Sequence, residues 1–279
     1  MPELPEVETI VREMRQAGLL GLKIERAIIL WERSIANLSS SDFCQQIANQ
    51  TIHDISRRGK FIVLSLTNHT VLVHLRMTGK FLIDTEGALP SSHERIRLYL
   101  SDGRILRYED QRKFGKWYLT EDPQKILEKI GIEPLSINFT LNAFKGVLKG
   151  KKKQIKPFLL DQQFVAGIGN IYVDEALWMA KIHPLRSVES LTAKEVQSLH
   201  KAIIFVLKKG VDNIGTSLGT SRANYYSVSG RRGSNQESLN VFRCDGLPCA
   251  RCHTIIEKIV VGQRGTHFCP KCQLCRVYK

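Results

Sequence analysis

Apolar residues at the start of the chain recur with the spacing of a helix. Four of them share one face, with Glu and Arg on the other: Val7, Ile10, Val11 and Met14. This period predicts an amphipathic helix over residues 5–18. Pro2 therefore lies just before a helix N-terminus.

The pattern then changes to short apolar stretches separated by turn residues, as far as about residue 120. Phe61–Leu64 and Val71–Val73 are continuous apolar runs, whereas apolar residues alternate with Arg and Tyr over 96–100. Ser101-Asp102-Gly103 is a typical turn sequence. This pattern indicates antiparallel strands and a β-rich first domain, either a sandwich or a barrel.

After Asp122-Pro123 the pattern becomes helical, and we expect a second, helix-rich domain to begin around residue 135. Phe158–Phe164 and Ile171–Met179 form two predicted helices joined by a glycine turn at 167–169, with Asn170 placed to cap the second helix. Amide groups freed at such a turn can bind phosphate, although most such turns only join helices. Residues 215–238, rich in Ser, Gly, Asn and Arg, form a predicted long loop.

Composition and charge narrow the class of protein. The 279 residues are 43% hydrophobic and 24% charged, which is typical of a globular protein. Without a long uncharged apolar run or a basic, apolar leader, we expect a cytoplasmic protein that does not cross a membrane. The net charge of +14 favours a polyanionic partner, but ribosomal and membrane-surface proteins share this feature.

The cysteines near the end of the chain have the spacing of a metal site. Two Cys-x2-Cys pairs, separated by sixteen residues, comprise Cys249, Cys252, Cys269 and Cys272. This is the pattern of a structural zinc ribbon in which four thiolates complete one tetrahedron. His253 is a weaker candidate ligand. The segment 260–266 predicts a hairpin with Arg264 at its tip, either as a solvated side chain or as a phosphate ligand.

Three separated motifs resemble those of formamidopyrimidine-DNA glycosylases, in the order of that family. They are Met1-Pro2-Glu3-Leu4-Pro5-Glu6-Val7-Glu8-Thr9, Gly167-Ile168-Gly169-Asn170-Ile171-Tyr172 and Arg264-Gly265-Thr266-His267-Phe268-Cys269-Pro270-Lys271-Cys272-Gln273. The resemblance implies an α+β protein with an N-terminal β-sandwich domain (1–134), a helix–two-turn–helix domain (135–240) whose loop 215–238 closes over the lesion, and a C-terminal β-hairpin zinc finger (241–279).

The resemblance also implies a catalytic set. Removal of Met1 frees the secondary amine of Pro2, which attacks C1′ of the damaged nucleotide to form a Schiff base. Glu3 is then the acid/base that assists opening of the sugar, supported by Glu6. Lys60 matches the catalytic β-strand lysine of the family, and Arg264 matches its finger arginine, which contacts phosphate and acts in δ-elimination. The implied partner is double-stranded DNA containing oxidised bases, bound by a monomer that carries one structural Zn²⁺.

The same resemblance implies contacts that extrude the damaged base and hold the DNA. Three side chains would fill the space that the base leaves in the stack: Met77, Arg112 and Phe114. Without the resemblance, Met77 and Phe114 would be assigned to the core. Five further residues match positions that grip phosphates: His74, His93, Lys151, Lys156 and Asn170.

Three departures from the family pattern bear on these expectations. Phe242-Arg243-Cys244 replaces a usual Tyr-Gly-Arg, so the lost glycine is expected to alter a backbone angle, and Cys244 adds a thiol that is either redox-sensitive or merely buried. An arginine of the long loop is displaced in Arg222-Ala223-Asn224-Tyr225, and the surroundings of His93, Ser92-His93-Glu94-Arg95, are unusual.

Two alternatives remain beside a glycosylase for oxidised purines. One is the endonuclease VIII branch of the superfamily, which prefers oxidised pyrimidines. The other is a non-catalytic zinc protein that binds damaged DNA. The first motif and the trio Met77, Arg112 and Phe114 argue against the former. The retained Pro2, Glu3, Lys60 and Arg264 argue against the latter.

Overall fold

The structure is a computed structural model that describes residues 1–85, 87, 89, 91–219 and 225–275. The chain forms two compact units. The first comprises residues 1–128 together with 213–236, and the second comprises residues 129–212 and 237–279. The division into domains at residues 134 and 240 remains a prediction.

The first unit opens with the expected amphipathic helix, α1 (Leu4–Gln16). Its four periodic apolar residues are all buried, which confirms the prediction from the spacing. A reciprocal capping box between Glu3 and Glu6 begins the helix, and Pro5 lies in its first turn, where a missing N–H costs nothing.

Eight antiparallel strands follow α1, and three short helices accompany them. The strands are β1 (Lys23–Ile29), β2 (Gln50–Arg58), β3 (Phe61–Leu66), β4 (Thr70–His74), β5 (Gly79–Thr85), β6 (Glu94–Leu100), β7 (Arg104–Asp110) and β8 (Lys116–Thr120). The helices are a 3-10 turn (Glu32–Ser34), α2 (Ser40–Ile47) and α3 (Gln124–Leu127). The strands predicted at 61–64, 71–73 and 96–100 correspond to β3, β4 and β6.

These strands form two layers joined at one corner. The order is β5-β7-β6-β1-β2-β3-β4-β8, and β1 and β2 pair at only two positions. The layers meet in an aromatic core, where the ring of Trp117 from β8 lies 5.5 Å from that of Phe81 in β5 and 5.3 Å from that of Tyr108 in β7. The first unit is therefore a β-sandwich, as expected from the resemblance.

The second unit is helical and ends in a hairpin. Its elements are α4 (Leu141–Leu148), α5 (Ile155–Leu160), α6 (Asn170–Ala180), a 3-10 turn (Val188–Ser190), α7 (Ala193–Asp212), β9 (Glu257–Val261) and β10 (Arg264–Phe268). The prediction of a helix over 158–164 was wrong at both ends, because α5 begins at Ile155 and extended backbone at Asp161 ends it.

The predicted long loop is irregular over most of its described length, up to a 3-10 turn at Asn235–Ser238. Residues 213–236 belong to the first unit, and Tyr225 and Val228 are buried in its core. The departure at Arg222-Ala223-Asn224 lies outside the described residues. Across the described ranges, every helix is too short or too polar to cross a bilayer.

Candidate active site and nucleic-acid contacts

The start of α1 concentrates the acids expected at the active site. Pro2 is buried, and so are the carboxylates of Glu3 and Glu6. The Glu6 carboxylate accepts a hydrogen bond from the Glu3 N–H (2.7 Å) and another from the Thr216 N–H (2.8 Å). Glu6 therefore fixes the backbone beside Pro2 and also anchors the segment 213–236 near its start, at Thr216.

Basic residues face the same amino group at the start of the chain. Burial lowers the pKa of the Met1 amino group, and the positive charges of Lys60 and Arg112 lower it further, while Glu3 and Glu6 oppose the shift. Lys60 is buried in the two-residue turn between β2 and β3 rather than within a strand. The fold therefore brings Glu3, Glu6, Lys60 and Arg112 around the chain start.

The trio expected to replace the extruded base lies at the surface. Met77 is 37% exposed and Phe114 is 49% exposed, which excludes the alternative that they are core residues. The Arg112 guanidinium lies over the Phe114 ring, 4.8 Å from its centroid. All three residues and Met1 line one cavity of about 710 Å³, which the segment between β7 and β8 helps to form.

The segment between β7 and β8 is held by a buried acid that the sequence analysis missed. Asp110 accepts hydrogen bonds from the backbone N–H of Arg112 (3.2 Å) and Gly115 (2.7 Å), and from the Thr78 hydroxyl. Gly115 has no space for a side chain, because a Cβ there would lie 1.7 Å from the Tyr108 hydroxyl. The segment is thus a rigid mount for Arg112 and Phe114.

The two predicted phosphate-binding histidines belong to the same unit. His74 ends β4, and its Nδ1 accepts a hydrogen bond from the Arg76 N–H (3.1 Å). Burial and the charges of Arg76 and Lys60 lower the pKa of His74 to about 3. The neutral ring therefore carries its proton on Nε2, a possible donor to phosphate. His93, just before β6, is partly buried, and its carbonyl accepts the Asp110 N–H (2.9 Å).

In the second unit, the glycine turn before α6 forms as expected, but Asn170 does not cap the helix. Gly169 takes the N-cap position, and Asn170 is the first helical residue. The Asn170 side-chain amide instead donates to the Gly265 carbonyl (2.9 Å) in the C-terminal hairpin. Gln162 braces the turn by accepting from the Gly167 N–H (2.9 Å).

The two lysines expected at phosphates differ in their surroundings. Lys151 is partly exposed, with its ammonium 4.9 Å from the centroid of the Phe164 ring, and it can reach a ligand. Lys156 is completely buried, and its Nζ is 2.6 Å from Asp174 Oδ1. A buried and paired ammonium does not match the surface contact that we expected for Lys156.

The four predicted zinc ligands lie together. The sulfur atoms of Cys249, Cys252, Cys269 and Cys272 are all within 4.8 Å of one another. Individual Sγ–Sγ distances are 3.4, 3.5 and 4.0 Å, close to the edge of about 3.8 Å in a tetrahedron with Zn–S bonds of about 2.3 Å. His253 is exposed and not part of this cluster. The residues therefore fit one zinc ion, with sulfur in all four positions.

Two buried acids of α6 attach the cysteine-bearing segment, and neither was predicted. Glu175 accepts hydrogen bonds from the backbone N–H groups of Asn240, Val241 and Phe242 (2.9–3.0 Å). Asp174 accepts from the His267 N–H (2.9 Å). The Trp178 indole also donates to Cys249 Sγ (3.4 Å), a contact that orients a metal ligand.

The departure at Phe242-Arg243-Cys244 leaves the backbone angle of a glycine in place. Arg243 has φ +60°, in the left-handed region that glycine adopts without strain. Burial raises the pKa of the Cys244 thiol, as do Glu175 and Asp245, and the side chain packs in the small core beside Trp178. The buried alternative for Cys244 is therefore the better supported one.

The hairpin around Arg264 forms as predicted. Arg264 pairs with Val261 across a two-residue turn in which Gly262 and Gln263 both have positive φ (54° and 61°). This is the geometry of a type I′ turn, which matches the twist of the strands. Arg264 itself is exposed.

Comparison with known proteins agrees with this geometry. The N-terminal domain model of formamidopyrimidine-DNA glycosylase matches residues 1–117, its H2TH domain model matches residues 130–222, and a zinc finger found in FPG and IleRS matches residues 246–274. The chain belongs to the formamidopyrimidine-DNA glycosylase family. Membership confirms the expected fold class, an enzyme of the DNA glycosylase type and a zinc finger.

Relatives of the family cover the chain almost completely. The formamidopyrimidine-DNA glycosylase of Protochlamydia amoebophila is 46% identical over 98% of this chain and 99% of its own length, and that of Herpetosiphon aurantiacus is 43% identical over 98% and 100%. Solved complexes of Lactococcus lactis Fpg are 37–38% identical and cover 98% of this chain. One complex contains DNA with an abasic site; the match covers 99% of that Fpg chain with a TM-score of 0.89. Another contains DNA with a Fapy-dG, and the match covers 100% of that chain with a TM-score of 0.88.

Proposed function

We propose that this protein excises oxidised purines, namely 8-oxoguanine and formamidopyrimidines, from duplex DNA and then cuts the backbone by β- and δ-elimination. The observation that carries the proposal is the surroundings of the chain start. There the Met1 amino group, whose pKa is lowered by burial, lies in the electrostatic field of Glu3, Glu6, Lys60 and Arg112, next to the buried Pro2. The DNA lesions present in the Lactococcus lactis complexes support the choice of substrate.

The nucleophile in this proposal is the secondary amine of Pro2 after Met1 has been removed. An amine reacts only when neutral, and burial of the chain start lowers the pKa of the amino group there, that of Met1, from the usual 8.0. Pro2 is itself buried, so its amine would have similar surroundings. The Pro2 nitrogen forms a bond to C1′ of the damaged nucleotide and gives up its proton to a neighbouring base, and the bond from C1′ to the damaged base breaks. The base leaves with the electron pair and takes up a proton.

Glu3 then serves as the acid/base for the sugar. It donates a proton to O4′ as the C1′–O4′ bond opens, which leaves a positively charged iminium between Pro2 and C1′. The iminium accepts electrons, so loss of a C2′ proton breaks the C3′–O bond and releases the first phosphate. Loss of a C4′ proton then breaks the C5′–O bond. Lys60 assists these steps, and Arg264 stabilises the phosphate that leaves last.

The DNA contacts follow from the surface groups. Met77, Arg112 and Phe114 enter the space that the extruded base leaves in the stack. His74, His93, Lys151 and Asn170 hold phosphates, a contribution that weakens with salt. We propose a monomeric enzyme of the cytoplasm, with zinc as a structural ion that holds the C-terminal segment in shape.

Borohydride trapping tests the nucleophile. The protein should become covalently joined to a duplex with 8-oxoguanine opposite cytosine, and mass spectrometry should find Pro2 at its N-terminus. Pro2→Gly should trap far less, whereas Pro5→Ala, which leaves the terminal amine intact, should trap like the wild type. Full trapping by a protein that retains Met1 would contradict the assignment.

A second substrate distinguishes the alternatives. A duplex with thymine glycol opposite adenine should be cut more slowly than the 8-oxoguanine duplex. Preference for thymine glycol would favour an endonuclease VIII-like activity. Binding of both duplexes without trapping of either would favour a non-catalytic protein.

A further inference from the structure

A buried ion pair lies beneath the hairpin that carries Arg264. The side chains of Lys156, in α5, and Asp174, in α6, are both 0% exposed, and Nζ and Oδ1 are 2.6 Å apart. Charges are rarely buried in this way, because desolvation is costly unless every donor and acceptor finds a partner. The partners of this pair therefore indicate what it holds in place.

Three successive residues that follow Arg264 are among those partners. Lys156 Nζ donates to the Thr266 hydroxyl (2.8 Å) and to the Gly265 carbonyl (3.2 Å). The second oxygen of Asp174 accepts the His267 N–H (2.9 Å). The ammonium of Lys156 thus links Asp174 in α6 to the first half of β10.

The Thr266 hydroxyl passes this restraint to Arg264 itself. It accepts from Lys156 and donates to the carbonyl of Arg264 (2.9 Å). The adjoining turn also rests on α5, since a Cβ on Gly262 would lie 3.1 Å from Pro157 Cγ. A two-stranded hairpin is marginally stable alone, so its position depends on contacts of this kind.

We infer that Lys156, Asp174 and Thr266 are positioning residues for Arg264 in δ-elimination. The inference rests on the proposed function. In that step a C4′ proton leaves, and its electron pair first shifts toward the iminium. The pair then returns to form the C4′=C5′ double bond while the C5′–O bond breaks, with the electrons of that bond going to the departing phosphate. A guanidinium stabilises those phosphate oxygens only from a defined position, and a displacement of about 1 Å can cost about a hundredfold in rate.

A pair of conservative variants tests the link through Thr266. Thr266→Val removes the hydroxyl at nearly constant volume, and Thr266→Ser keeps it. On a duplex with a preformed abasic site, Thr266→Val should accumulate the β-elimination product because the second step slows about tenfold. Thr266→Ser should give the wild-type ratio of β to δ products. Both variants should trap on DNA and retain zinc like the wild type.

Asp174→Asn provides a second measurement, with Asp161→Asn as its control, since Asp161 pairs with Lys153 at the surface. Asp174→Asn should also shift the products toward β-elimination, and Asp161→Asn should not. Wild-type product ratios in Thr266→Val and Asp174→Asn would overturn the inference. Loss of zinc or of trapping in parallel with the δ product would also overturn it, because the role would then be structural. Absence of trapping by the wild type would instead contradict the proposed function.

Discussion

Asp110 should determine whether the segment between β7 and β8 can act as a rigid mount for Phe114. Its carboxylate is 1% exposed and accepts from two backbone N–H groups and one hydroxyl. Asp110→Asn keeps the size but leaves one acceptor oxygen. The second carboxylate oxygen is replaced by an NH₂ group. If the remaining oxygen still accepts from the Thr78 hydroxyl, the NH₂ group faces the Gly115 N–H, and two donors then meet without an acceptor.

The cost follows from the number of hydrogen bonds. A hydrogen bond to a charged acceptor contributes about 1.5–3 kcal/mol, and an unpaired buried N–H costs about 1–3 kcal/mol. One bond is lost and two lose their charged acceptor, so we expect the variant to be about 2–4 kcal/mol less stable. That is a large part of the total stability of about 5–15 kcal/mol that is typical of proteins.

Urea unfolding measures the loss, as a lower midpoint with an unchanged slope. Insertion of the trio is measured separately, from the fluorescence of 2-aminopurine placed beside an 8-oxoguanine. The variant should show a slower fluorescence rise. Asp102→Asn, which removes a surface pair with Arg104, should change stability by less than about 0.5 kcal/mol and leave the fluorescence unchanged. A loss below about 1 kcal/mol, or a normal fluorescence rise, would refute this account of Asp110.

Four further outcomes are expected. Glu13→Gln should slow excision of a damaged base but not cleavage at a preformed abasic site. Glu13 accepts hydrogen bonds from the backbone and hydroxyl of Ser229 and from Arg231, and these bonds hold the segment 213–236 on α1. Equal slowing of both reactions would contradict this role of Glu13. The pKa of His74 is lowered to about 3, so the stability that its neutral form contributes is complete above about pH 6.5 and is lost as the pH falls toward 3. When the pH falls from 7 to 5, the free energy of unfolding should therefore decrease by about 1–2 kcal/mol less in His74→Asn than in the wild type. If the two proteins show the same dependence of unfolding free energy on pH, this account of His74 is contradicted. Arg243→Gly should stabilise the protein by up to about 1 kcal/mol, because Arg243 has φ +60°, an angle that glycine adopts without strain. Cys244→Gly should not stabilise it. A melting temperature that rises for Arg243→Gly and not for Cys244→Gly would confirm this. Cys269→Ser should release zinc and weaken DNA binding, and unchanged metal content would contradict the four-thiolate site.

Local periodicity explains what could be predicted from the sequence. The face of α1, the alternation of β6 and the spacing of the cysteines each depend on residues close together in the chain, and the structure confirms all three. The failures involve partners distant in sequence. The Asn170 amide bonds to Gly265, 95 residues away, instead of capping its own helix, and Lys156 bonds to Thr266, 110 residues away. A pattern of residue types contains no sign of such pairs.

The sequence analysis also missed the structural roles of most buried Asp and Glu residues, and the distribution of charge shows why. Among the described residues, eight Asp and Glu side chains are buried against five Lys and Arg. Glu6, Glu13, Asp110, Asp174 and Glu175 all accept backbone N–H groups from segments distant in the chain or from a tight turn. Burying more acids than bases leaves the positive excess of a chain with net charge +14 at the surface, where it can meet phosphates. Buried acids thus position the segments, whereas exposed bases make the surface positive. The net charge of the sequence reveals the second property, but the first depends on contacts that only the fold creates.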